Sequence, residues 1–360
     1  MTTLPLRKAS AVFGLADLLS PENLAACFPN QKLKSLDLTQ LVEVGRRFGF
    51  LQKPNEPIAA SIFVTKGGVL KTTLTLNLAR LCALQGLRVA VVGLDMQGDI
   101  TQALGGPTAD EDQSLAEALA SLNELRGLPE LFAGQAKLDE ILLPTEIPTL
   151  FYIPETPELV AMDQSLLSRH RREYWLKEQV IEPLKQRGFD LVLMDCSPNW
   201  NRLINNALVA SDVLISPIES KINNFRNLRI FRALVDEFKT DMRIDFKHVF
   251  VPTRLVPARR LSREISEWYQ RELPNCLRAS IRESVHGEEA TALRLSIPEH
   301  APTSPAAEEI RAVTAEIAEQ MQFLRSDPRG SVWTRAAREA AAAEPVTWSS
   351  NSGVAVLEEV

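Results

Sequence analysis

Thr65-Lys66-Gly67-Gly68-Val69-Leu70-Lys71-Thr72-Thr73 is the stretch on which the reading of this 360-residue chain turns. It follows an apolar run, Ile58 to Val64, and opens a helix-like run from Lys71 to Gln85. A strand, a glycine-bearing turn and a helix that starts at Lys-Thr make a cradle for a nucleoside triphosphate. The turn's N–H groups surround the phosphates and the helix N-terminus adds partial positive charge. Lys71 is then expected to reach the β/γ oxygens, and the Thr72 hydroxyl to face Mg²⁺. Position 70 departs from the pattern, which asks for glycine where leucine stands. If the backbone there takes φ > 0, the leucine carries a steric penalty of about 1–2 kcal/mol. The alternative is a shifted loop with φ < 0 and the Leu70 side chain packed on the core, near Leu74.

Working outward, Leu87 to Leu94 is a short apolar run that follows Gly86, a glycine well placed to close the helix. Leu191 to Met194 and Val213 to Ile215 are likewise continuous rather than alternating, as strands buried on both faces read. Such strands belong to parallel sheets, where ligands sit beyond the carboxyl ends. Thr65, Asp95 and Asp195 all fall at such ends. The expected fold is therefore α/β, a mostly parallel, doubly wound sheet flanked by helices. An N-terminal helical extension (1–57, with helical patterns at Ala16 to Ala26 and Leu38 to Phe48) precedes the main domain (58–326). The extension suits a helical arm used in dimer contact. Residues 106–147 read as an acidic helical insertion, Thr149 to Ile153 as a strand ended by Pro154, and Glu158 to Leu167 as helix. Beyond Ser326, residues 327–360 read as a flexible acidic tail.

The composition, 45% hydrophobic, allows one substantial core, and no apolar run approaches the roughly 18 residues of a membrane span. The N-terminus lacks the layout of a signal peptide. Four scattered cysteines (Cys27, Cys82, Cys196, Cys276) without a C-x-x-C suit a reducing cytosol and disfavour a cluster-bound metal. Net charge is −6, but residues 221–282 hold 14 Lys+Arg against 7 Asp+Glu, so that block is +7 and the remainder −13. It reads either as a solvated face or as a surface that attracts phosphates.

These stretches together resemble the ParA/MinD group of P-loop ATPases, whose loop reads K-G-G-V-G-K-T-T. Residues 66–73 match seven of those eight positions, including the group's early lysine, Lys66. Leu94 to Asp99 resembles the D-x-D-P-Q-G-N segment, Phe189 to Pro198 the Walker B strand with its terminal Asp, and Ser211 to Glu219 the A-D-x-v-l-i-P-v-x segment. Ile281 to Ser284 and Ser304 to Glu309 are similar to the group's closing region, so the likeness spans roughly residues 58–325.

The resemblance implies a P-loop NTPase sheet with ATP and Mg²⁺ as cofactors. The nucleotide would lie on Thr65, Lys66, Gly67, Gly68, Val69, Leu70, Lys71, Thr72 and Thr73, and Mg²⁺ on Thr72 and Asp195. Asp95 would orient the attacking water, and Lys66 would reach across an ATP-dependent homodimer to the partner's nucleotide. The implied activity is slow, partner-stimulated ATP hydrolysis in partition of a plasmid, chromosome or mobile element. It implies a ParB-like centromere-binding partner, nonspecific DNA bound through Arg254, Arg259, Arg260, Arg263, Arg278 and Arg282, and a cytoplasmic, nucleoid-associated location. Gly93 in place of the first aspartate of D-x-D, Met96 in place of proline, and Leu70 bear on hydrolysis more than on binding. An adaptor that holds nucleotide and recruits partners is the other reading. A MinD-like membrane role needs a basic amphipathic C-terminal helix, and Trp333 to Ala343 is a poor candidate.

Overall fold

The computed structural model describes residues 3–15, 18–107, 125–221 and 225–325. Part of the acidic insertion and the whole of the 327–360 tail, with its Trp333 to Ala343 segment, lie outside the described residues. Continuous apolar runs become strands: β3 (Ile58–Ile62), β4 (Val89–Leu94), β6 (Leu150–Ile153), β7 (Leu191–Cys196), β8 (Val213–Glu219) and β9 (Lys247–Leu255). With the short β5 (Leu143–Pro144) and β10 (Ile281–Arg282), they form one sheet in the order β10-β9-β8-β3-β7-β4-β6-β5. Only β5 runs antiparallel to its neighbour. All the other carboxyl ends therefore meet along one edge.

Side chains alternate between two cores, one on each face of the sheet. Ala60, Ile62, Val89, Val91, Leu193 and Ile215 belong to one, and Ala59, Phe63, Ala90, Val92, Met194 and Leu214 to the other. This two-sided burial is the reason the strands lack polar alternation. Helix α4 (Lys71–Leu84) is buried nearly all round. The first core covers it with α3 (Leu38–Phe48) and the helix Pro305–Gln320. Among the described residues no helix is long and apolar enough to cross a membrane.

The N-terminal extension holds α1 (Leu6–Phe13), α2 (Pro21–Cys27) and α3, and also a small antiparallel pair, β1 (Thr3–Pro5) with β2 (Ser35–Asp37), that its helical patterning does not reveal. It packs as a docked layer rather than a projecting arm. Val12, Phe13, Leu41 and Val44 belong to the same core as α4, so these side chains are covered by this chain itself. Gly45 of α3 sits so close to the end of α4 that a Cβ there would lie 2.1 Å from the Leu84 carbonyl oxygen. The Gln85 carboxamide oxygen then accepts the N–H groups of Phe50 (2.8 Å) and Leu51 (3.0 Å).

Candidate functional site

The loop after β3 holds two nearby left-handed residues, Gly68 (φ 70°), which adopts this conformation freely, and Leu70 (φ 71°, ψ 33°), which caps α4 and carries the strain. The positive φ at Leu70 rules out the shifted loop, yet the side chain still packs partly against the core. Apolar packing thus offsets part of the backbone penalty. A Cβ at Gly67 or Gly68 would meet nothing within 4 Å, so the loop presents open backbone on its outer side.

Lys71, 8% exposed, turns its Nζ back to donate to the Lys66 carbonyl oxygen (3.1 Å). Burial pushes its pKa down, while the charges of Asp195 and Asp95 pull it back up. Thr72 Oγ1 donates to Asp195 Oδ2 (2.8 Å), and Thr75 Oγ1 donates to Asp195 Oδ1 (2.7 Å). Asp195 is buried, and desolvation raises its pKa to about 6 against the lowering effect of Thr75, Thr72 and Lys71. Thr75 is a site residue that the loop motif does not mark; its signal is the i+3 spacing from Thr72 on one helix face.

Asp95 follows β4 directly, accepting the Gln97 N–H on Oδ1 (3.2 Å). Its own N–H donates to Glu155 (3.2 Å), a buried carboxylate just past β6 that no local motif singles out. Lys66 is ion-paired with Glu219 at the end of β8, and Lys221 pairs with the same carboxylate. Thr65 is exposed and Val69 is buried beneath the loop.

Beside the loop lies a cavity of about 490 Å³ walled by Leu70, Thr72, Thr73, Arg254, Ile281 and Gly287. It divides the expected DNA-contacting arginines. Arg254 (φ 51°) and Arg282, both half-buried, line this cavity; Arg254 Nη1 donates to Glu283 (3.4 Å) and Arg282 Nε to Glu309 (2.7 Å). Arg254 Nε is buried without a hydrogen-bond partner among the described residues. Arg259, Arg260 and Arg263 are exposed around the start of the helix Arg260–Glu272, and Arg278 is exposed further on.

The profile of the AAA domain family matches residues 58–248. The chain is 28% identical over 202 residues to an uncharacterised protein of Mycobacterium tuberculosis, an alignment covering 56% of this chain and 59% of that one. It therefore spans less than two thirds of the length of that relative. It is 31% identical over 184 residues to the sporulation initiation inhibitor protein Soj of Bacillus subtilis, covering 50% of this chain and 67% of Soj. In fold it is similar to a McdA variant of Cyanothece in complex with ATP, with a TM-score of 0.62 and 18% identity over 76% of this chain and 99% of that one.

Proposed function

The chain belongs to the AAA domain family, as a ParA/MinD-type P-loop ATPase related to the partition ATPases, and we propose that it binds and hydrolyses ATP with Mg²⁺ to act in DNA partition. In this reading ATP drives dimerisation, the dimer binds DNA without sequence preference in the cytoplasm, and a ParB-like partner stimulates hydrolysis. The observation that carries it is the Thr72–Asp195 hydrogen bond beside buried Lys71, under a loop of open backbone.

The Thr72 hydroxyl and Asp195 carboxylate are hard oxygen donors that fit Mg²⁺, which supplies charge compensation to the β- and γ-phosphates when bound. The backbone of residues 66–70 and the N-terminus of α4 take the phosphate oxygens, and Lys71 swings from the Lys66 carbonyl onto them. The nucleoside occupies the neighbouring cavity, whose wall carries Arg254 and Arg282. Asp95 holds the attacking water. Lys66 leaves Glu219 to offset charge on the partner's transferring phosphoryl. Arg259, Arg260, Arg263 and Arg278 supply the phosphate-attracting surface.

The test is a nucleotide titration and an ATPase assay with and without DNA. Lys71→Ala should weaken ATP–Mg²⁺ by tenfold or more, because each charge-assisted hydrogen bond contributes about 1.5–3 kcal/mol; unchanged affinity refutes the site. The adaptor reading draws support from strained Leu70 and from Gly93, which offers no carboxylate. It wins if ATP binds but single-turnover hydrolysis is absent.

A further inference from the structure

Gly93 is the last but one residue of β4, and the space its side chain would fill is already taken. A Cβ built on Gly93 stands 2.1 Å from Glu155 Cγ, 2.8 Å from Cδ and 3.1 Å from Oε1. Any side chain at position 93 and the observed placement of Glu155 are mutually exclusive. Glu155 reaches this place from just past the neighbouring strand, since β4 pairs with β6 through Val92 and Ile153.

The carboxylate is 4% exposed and makes a closed set of contacts. Oε1 accepts the Asp95 N–H (3.2 Å), and Oε2 accepts the Thr101 N–H (3.4 Å) and Thr101 Oγ1 (3.3 Å). The Thr101 hydroxyl in return accepts the Glu155 N–H (2.7 Å). Thr101 lies on α5 (Asp99–Ala103), so one carboxylate ties together the ends of β4 and β6 and the helix that follows Asp95. Burial first, and the nearby Asp195 charge second, push its pKa well up.

We infer that Glu155 is a positioning residue of the site, a carboxylate delivered from β6 into the space left by Gly93, which fixes the backbone of Asp95 for hydrolysis. This inference rests on the ATPase reading above. It predicts a split: Glu155 acts on the cleavage step through Asp95, and contributes little to nucleotide affinity, which the loop and α4 supply. It also predicts that the carboxylate can be supplied from position 93 instead, provided Glu155 is removed to make room.

The experiment compares the full chain with Glu155→Gln, Glu155→Ala, Gly93→Asp and the double variant Gly93→Asp/Glu155→Ala. Each is measured by thermal melting, ATP–Mg²⁺ titration and single-turnover hydrolysis. Glu155→Ala should slow hydrolysis at least tenfold with affinity changed less than threefold, and Glu155→Gln, which keeps the shape, should slow it at least threefold without lowering the melting temperature. Gly93→Asp alone should melt lower than the parent, and the double variant should recover both melting temperature and at least a third of the lost rate. A Glu155→Gln rate equal to the parent's overturns the inference, as does a double variant no faster than Glu155→Ala. If Glu155→Ala fails to fold, Glu155→Gln and the double variant still decide. A parent that binds no ATP sinks the ATPase reading itself, whereas the melting temperatures of the Gly93→Asp pair test the shared space without nucleotide; no recovery there overturns the exchange.

Discussion

Thr72 and Asp195, 123 positions apart in the chain, are joined by a 2.8 Å hydrogen bond that brings the start of α4 to the end of β7. The bond aligns a hydroxyl and a carboxylate on one point of space, and Thr75 holds the carboxylate's other oxygen. Because Asp195 is buried, its ionisation is sensitive to what stands beside it.

That sensitivity has a pH consequence. Asp195 titrates at about 6, raised by desolvation, so below that pH it carries a proton and loses its charge. Lys71, Asp95, Thr72, Thr75 and Glu155 act on it from the surrounding elements. The gain in ATP affinity on adding Mg²⁺ should be full at about pH 7.5 and shrink by up to about tenfold per pH unit below 6. Parallel titrations in Mg²⁺ and in chelator check it, and a gain unchanged down to about pH 5 contradicts it. Asp195→Asn should remove the Mg²⁺-dependent gain at every pH.

Leu70 combines a left-handed backbone with a partly buried side chain, and two substitutions separate these effects. Leu70→Gly relieves about 1–2 kcal/mol of strain but gives up apolar burial. Leu70→Ala gives up most of the burial and keeps the strain. Leu70→Gly should therefore be the more stable of the two by about 1 kcal/mol in urea unfolding, bind ATP at least as tightly as the parent, and hydrolyse it faster. Equal stability of the two variants would show that the backbone is not strained.

Charge reversal at Arg259, Arg260 and Arg263 removes exposed cations at the start of one helix. DNA affinity should fall, and the slope of log affinity against log salt should flatten by about 0.9 for each phosphate no longer neutralised. Arg254 and Arg282 belong to the cavity wall, so changing them should disturb nucleotide before DNA. An intact salt slope in the triple variant returns the block to a solvated face.

Arg80 is buried in α4, where Nε and Nη2 donate to Glu299 (2.6 and 2.8 Å) and Nη1 to Glu146 (2.6 Å). Truncation strands a buried carboxylate. Arg80→Ala should destabilise the fold by about 3–5 kcal/mol, and Arg80→Lys by less while losing the two-pronged geometry. Chemical denaturation measures both; a loss under about 1 kcal/mol would mean the pair contributes little.

Much of this architecture was legible in local pattern. Apolar runs without alternation marked β3, β4, β7 and β8 as doubly buried parallel strands, and Gly-Gly before Lys-Thr marked the turn into α4, because both signals depend only on neighbours in sequence. The positive φ at Leu70 was foreseeable from the place glycine usually holds. What the sequence left undecided were relations between distant segments. That Glu155 fills the space over Gly93, that Glu219 holds Lys66, and that Arg254 and Arg282 face a cavity while Arg259, Arg260 and Arg263 face solvent depend on strand order and register. Local pattern sets which face of an element is apolar. Only packing the elements together decides which polar side chains meet at their ends, because those contacts join residues that are neighbours in space alone.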